Sequence, residues 1–164
     1  MRSLAVKQCK SDARGFTLVE ILVVVVILGI LSGVVVPAFA GASDEARQGA
    51  FVESLHGMIE GCEMYRATTG QNVVDSSSGV WPSELDGFIK ASDFERDTPI
   101  GGVWDTELEE SGVTSAVGVH FDGTGVTRDD TFMAEIDAVV DDGDVETGVF
   151  RRLGVGRYYF VLEE

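Results

Sequence analysis

Hydrophobic and polar positions along the chain change their rhythm twice. From Ile21 to Ser43 there are 23 consecutive residues without a charge, and no polar face interrupts them. A run of that length and apolar circumference predicts a helix that crosses a bilayer, which takes about 20 residues, rather than the one-sided stripe of a helix lying on a soluble core. Past Pro37 the pattern becomes amphipathic. Phe51, Leu55, Met58, Cys62 and Tyr65 recur at steps of four and three, the signature of one helical face. His56 falls off that face and is expected in solvent. Ser43 or Asp44 suits a cap and Gly70 a terminator, so a single helix from Thr17 to Thr69 is expected, roughly 80 Å long at 1.5 Å rise per residue. Pro37 has no amide hydrogen, which leaves the Gly33 carbonyl without its helical donor and predicts a bend or loosening there. Gly29 and Gly33, four residues apart, form a small-residue strip where another helix can approach closely.

Beyond Gly70 the periods shorten. Gln71 to Thr114 is turn-rich: Ser76-Ser77-Ser78-Gly79 reads as a loop, and Pro82-Ser83-Glu84-Leu85 opens a short helix toward Ile89 or Lys90. Ala116–Phe121, Gly148–Leu153 and Arg157–Leu162 are β-branched or aromatic runs separated by glycine turns and read as strands. Asp130 to Asp142 fits two periods, a helical face of Phe132, Ile136 and Val140 or an alternation with Ala134 and Ala138; the helix is preferred. The expected fold class is α+β, a long N-terminal helix with a transmembrane first half and an amphipathic second half packed against a small antiparallel sheet. Its parts are a leader at 1–15, the two helix halves at 16–42 and 43–69, and a globular head at 70–164.

Charge sharpens this picture. The chain has 12 basic and 28 acidic residues, a net of -16. Arg2, Lys7, Lys10 and Arg14 precede Phe16, so the remainder holds 8 basic and 27 acidic residues, a net of -19. Such a body repels phosphate backbones, and nucleic-acid binding by broad electrostatics is not expected. The basic leader predicts a cytoplasmic start and an exported remainder. Cys9 and Cys62 offer no disulfide framework once the leader is gone, so the fold must stand on its core.

Glu20 is the anomaly of the apolar segment. A carboxylate at the centre of a membrane helix costs about 2.5–3.5 kcal/mol on insertion scales, less near the end, and it calls for a partner. Scission before Phe16 would create a cationic α-amine, and Glu20 of one copy could pair with that amine on its neighbour, a contact made only on assembly.

Arg14-Gly15-Phe16-Thr17-Leu18-Val19-Glu20 resembles the recognition motif of prepilin peptidase in type IV pilins and type II secretion pseudopilins. The short basic leader, the glutamate five residues into the mature chain and Pro37 further along the helix fit as well. The resemblance implies cleavage between Gly15 and Phe16, N-methylation of Phe16, and the pilin fold. It implies a pseudopilin stored in the inner membrane as a single-pass protein with its head in the periplasm, then built into a pseudopilus with other copies and other pseudopilins by an assembly ATPase and platform protein. Glu20, Pro37, Gly29 and Gly33 are the expected assembly residues. The alternative within the resemblance is a minor type IV pilus subunit in adhesion, motility or DNA uptake. Trp81-Pro82-Ser83 and, more loosely, Pro99-Ile100-Gly101-Gly102-Val103-Trp104 resemble segments that follow the long helix in pseudopilins, and core packing also explains both tryptophans. A competing reading takes Ala38-Phe39-Ala40 before Gly41 as a signal-peptidase site that releases a soluble exported binding domain, against which stand the length of the apolar run and Glu20.

Asp141, Asp142 and Asp144 crowd around Gly143 with Glu146. Close-spaced oxygen ligands are what calcium requires, and the resemblance implies a late loop of this kind in some pseudopilins; a solvated acidic turn is the competing reading, and no other cofactor is expected. His56 and His120 show no nucleophile or metal partner, and no G-x-S-x-G or H-E-x-x-H occurs. Gly123/Gly125 and Gly154/Gly156 lack the lysine of a phosphate loop and read as hairpin turns. No enzymatic activity is expected.

Overall fold

The computed structural model describes residues 15–164, with backbone alone at residues 34–42 and at 110. Its first element is the predicted long helix, α1, Leu18–Thr69, assigned without a break past the position of Pro37. Gly70 ends it at φ +72°, and its amide returns to the Arg66 carbonyl at 2.8 Å, a glycine stop of the expected kind. The chain divides at Gly41/Ala42 into two units.

The expected transmembrane half is corrected. Among the described residues no helix is long and apolar enough to cross a membrane. The described uncharged run begins after Glu20 and ends at Gly33, short of the about 20 residues a span requires. The single-pass inner-membrane placement falls with it.

In the second unit a 3-10 turn at Ser83–Leu85 and a short α2 at Ala91–Phe94 precede four strands: β1 Val103–Glu110, β2 Val113–His120, β3 Phe150–Gly154 and β4 Arg157–Glu163, with α3 Asp130–Val140 between β2 and β3. The helix opened by Pro82 stops sooner than expected. The sheet is antiparallel throughout, in the order β1-β2-β4-β3, so β1 and β3 are its edges. The preferred helical period of 130–142 is the one adopted, because Asp129 caps α3 by accepting from the Phe132 amide at 3.0 Å. Gly154 and Gly156 do form the β3–β4 hairpin, with Gly156 at φ +70°. Gly123 and Gly125 instead lie in the connection from β2 to α3.

The predicted stripe of α1 is the floor of the core. Phe51, Leu55, Met58, Cys62 and Tyr65 are all buried, together with Trp104, Val117, Val119 and Tyr158 from the sheet. Phe51 stacks on Trp104 with centroids 5.5 Å apart and planes 6° off parallel. Burial among apolar neighbours pushes the Cys62 thiol up to about 12, which keeps it protonated and inert. His56 is exposed.

β1 is the element the sequence pattern hid. Its residues Asp105 and Glu107 are each only 1% exposed, on the strand positions that alternate with Trp104. Asp105 accepts from the Tyr159 hydroxyl at 2.7 Å and the Ser78 hydroxyl at 2.8 Å, and Glu107 pairs with Arg157. The Tyr159 phenol reaches Asp105 across Gly118, which stands between them in the register; a Cβ at Gly118 would strike the Tyr158 carbonyl. Val74 and Gly79 strap the connector from α1 to β1, through the Thr106 hydroxyl on the Val74 carbonyl and the Gly79 amide on the Trp104 carbonyl.

Candidate functional site

Two groups of residues remain after the core is accounted for, and they lie in different units. The first is the start of α1. Thr17 and Glu20 close a reciprocal capping box: the Thr17 amide and hydroxyl both donate to Glu20 Oε2 at 2.8 Å, and the Glu20 amide donates to Thr17 Oγ1 at 3.2 Å. These donors hold the Glu20 carboxyl below its usual range. The carboxylate is therefore oriented on its own chain yet has no cation beside it among the described residues. Oε1 stays free there. Phe16 is 83% exposed, and the large apolar residues from Leu18 to Leu31 are exposed by 50% or more. Nothing lies within 4 Å of a Cβ built on Gly15, Gly29 or Gly33. Arg14 and the rest of the leader lie outside the described residues, as do the side chains of Pro37 and of Ala38-Phe39-Ala40.

The second group is the turn after α3. Asp137, Asp141 and Asp142 bring carboxylate oxygens within 4.8 Å of one another. Asp141 Oδ2 accepts from the Val149 amide at 2.5 Å, and Asp142 accepts from the Asp144 amide at 2.9 Å and the Thr147 hydroxyl at 3.0 Å. Asp137 is fully buried, and neither of its oxygens has a hydrogen-bond partner. Burial first, then the charges of Asp142 and Asp141, push its carboxyl up to about 6. A buried carboxylate with two orphaned oxygens facing two more carboxylates fits a hard divalent cation, which would supply the missing positive charge. Of the expected ligands, Asp141 and Asp142 converge. Asp144 does not join them among the described residues, its Oδ1 accepting from the Glu146 amide. Asp137 was missed, although its i, i+4 relation to Asp141 on one helix face was readable.

His120 has neighbours that the sequence did not announce. Ser78 Oγ lies 2.5 Å from its Nδ1, and Asp105 Oδ2 lies 3.4 Å from the same nitrogen. A serine–histidine–carboxylate relay needs the two partners on opposite ring nitrogens. Here both use Nδ1, and the trio ties the connector to β1 and β2.

The N-terminal geometry has counterparts in known proteins. A family model described as the prokaryotic N-terminal methylation motif matches residues 10–36. The type II secretion system core protein G of Klebsiella michiganensis is 40% identical over 57 residues, 35% of this chain and 40% of that protein. Its counterpart in Vibrio cholerae is 44% identical over 52 residues, 32% of this chain and 36% of that protein. The chain carries that methylation motif and is similar to those secretion proteins over about a third of its length. The chain thus aligns with less than half the length of those relatives, and Gly15, Phe16 and Glu20 stand within the matched motif. The major type IV pilin PilA1 from Clostridium difficile superposes with a TM-score of 0.52 at 15% identity, over 74% of this chain and 97% of that one, a likeness of fold.

Proposed function

We propose that the chain is a structural filament subunit, a pseudopilin of a type II secretion system, trimmed by prepilin peptidase between Gly15 and Phe16 and N-methylated at Phe16. Copies stack through the N-terminal half of α1, alone or with other pseudopilins, driven by an assembly ATPase and platform protein. The observation that carries this reading is an apolar helix surface left at least half-exposed beside one capped carboxylate that has no cation next to it among the described residues. Burying a Val, Leu, Ile or Phe side chain contributes about 1.5–3 kcal/mol, so a surface of this extent, half-exposed in one copy, supplies an association energy of the order of a whole domain's stability. Glu20 fixes the stagger by offering Oε1 to the α-amine of a neighbouring Phe16. Gly29 and Gly33 let helices approach closely. In the head, Asp137, Asp141 and Asp142 hold a calcium ion that locks the turn after α3.

The test is Glu20→Ala in the producing strain. Cleaved chain is expected at normal abundance, with filaments and secreted cargo reduced at least tenfold. A variant that assembles with wild-type yield and stagger refutes the role of Glu20. Loss of surface fibres with secretion intact would place the subunit in a type IV pilus instead.

A further inference from the structure

The loop between α3 and β3 is closed on itself by one member of the acidic trio. Asp141 Oδ2 accepts from the Val149 amide at 2.5 Å, immediately before β3 begins at Phe150. The Val149 carbonyl in turn accepts from the Val161 amide of β4 at 2.7 Å, so Asp141 holds a residue already aligned with the sheet. A Cβ on Gly148 would strike Asp141 Oδ2. Glycine at 148 is what lets the two ends of the loop meet this closely.

The closed loop lies along a free side of the sheet. β3 is an edge strand, and in its register with β4 the backbone groups of Arg152 point away from the sheet. The Arg152 amide donates to the Val145 carbonyl at 2.7 Å, in the middle of the loop, and Val145 itself is buried in the core. The Arg152 guanidinium pairs with Glu146 beside it and reaches Asp130 at 3.4 Å. An edge amide capped by its own chain is not open to a strand of another.

One force opposes this closure. The carboxylates of Asp137, Asp141 and Asp142 lie within 4.8 Å of one another, and fully buried Asp137 has no hydrogen-bond partner on either oxygen among the described residues. Like charges in a site that excludes water repel strongly. Asp137 is fixed within α3, whose first turn Asp129 caps, whereas Asp141 and Asp142 lie past its end. The part that can yield is therefore the loop. Burial of Val145 resists release, but an unpaired buried charge costs more than covering one apolar side chain contributes.

We infer that Asp141 makes residues 141–149 a cation-held clasp on the edge of β3, an inference that rests on the cation reading above. With a divalent cation among the three carboxylates, Asp141 keeps its hold on Val149 and the loop caps Arg152. Without one, the loop swings off and bares that amide.

The experiment follows amide hydrogen exchange in the full-length chain, dispersed in detergent at pH 7, in millimolar calcium and in chelator, beside a calorimetric titration of the same sample with calcium. In chelator the exchange rate of Arg152 relative to that of Val119, in the inner strand β2, is expected to rise about a hundredfold, and calcium to reverse the change. Gly148→Ala, which displaces Asp141 from Val149, should keep Arg152 fast even in calcium. Calcium that binds without moving this ratio, or that slows both amides equally, overturns the clasp and leaves the cation site standing. A Gly148→Ala chain with the wild-type ratio overturns the role of Asp141. A chain that binds no calcium overturns the clasp and the cation site together.

Discussion

The two halves of α1 are continuous in backbone and opposite in what they bury. From Phe51 to Tyr65 every residue of the apolar stripe is covered by its own chain, down to 0% exposure at Phe51. From Phe16 to Leu31 every large apolar residue is at least half-exposed, whereas beyond Tyr65 such side chains stand singly among the described residues, at Val80, Val139 and Val155. The same helical backbone therefore serves two stabilities. One half is held by the fold; the other stays at least half-exposed at every large apolar position. A helix of this length is not sustained by propensity, which makes amphipathic packing the stabiliser of the second half.

The largest effect that can break this contrast comes from matched truncations. Leu55→Ala is expected to cost about 2–5 kcal/mol of head stability, read by thermal or chemical unfolding. Val24→Ala should leave that transition unmoved and lower filament yield instead. Equal destabilisation by both would mean that the first half is packed by its own chain.

Next in size is the orphaned Asp137. With its carboxyl raised to about 6 from 3.8, the folded state binds that proton more tightly than the unfolded chain does. The resulting stability is complete below about pH 4 and is lost as pH rises through 6. In chelator, about 2–3 kcal/mol is expected to disappear across that window, and Asp137→Asn should flatten the profile. Millimolar calcium at pH 7 should restore the loss in the wild type and not in the variant. A wild-type head whose unfolding ignores both pH and calcium contradicts the cation site.

The smallest effect sharpens the start of α1. Thr17→Ala removes the capping box, worth about 1 kcal/mol of local helix stability, and frees Glu20 to turn. The head's melting transition should not change, while filaments become fewer by several-fold on electron micrographs. A head that melts earlier would show that the two halves are energetically joined.

How much of this was legible depended on whether a residue's chemistry agreed with its surroundings. The stripe on α1, α3 and three of the four strands announced themselves because apolar positions faced inward at the period of their element. β1 did not, since Asp105 and Glu107 break its alternation. Their partners Tyr159, Ser78 and Arg157 lie more than twenty residues away along the chain, and only the folded sheet brings them together. The acidic turn was half legible: Asp141 and Asp142 were visible as a cluster, but the deciding carboxylate, Asp137, read as the polar side of a helix until its burial was known. At Glu20 the sequence showed a charge in want of a cation and concealed the Thr17 cap, although T-x-x-E before an apolar run is its written form. The expected membrane span drew on the full uncharged run to Ser43, and the described part of that run is too short to make one.

The direct test of the account is the N-terminus of the chain recovered from assembled filaments, by mass and by sequencing. N-methylated Phe16 is predicted, since Glu20 then meets an amine that only scission can create. A filament built from chains that still carry residues 1–15 would contradict it.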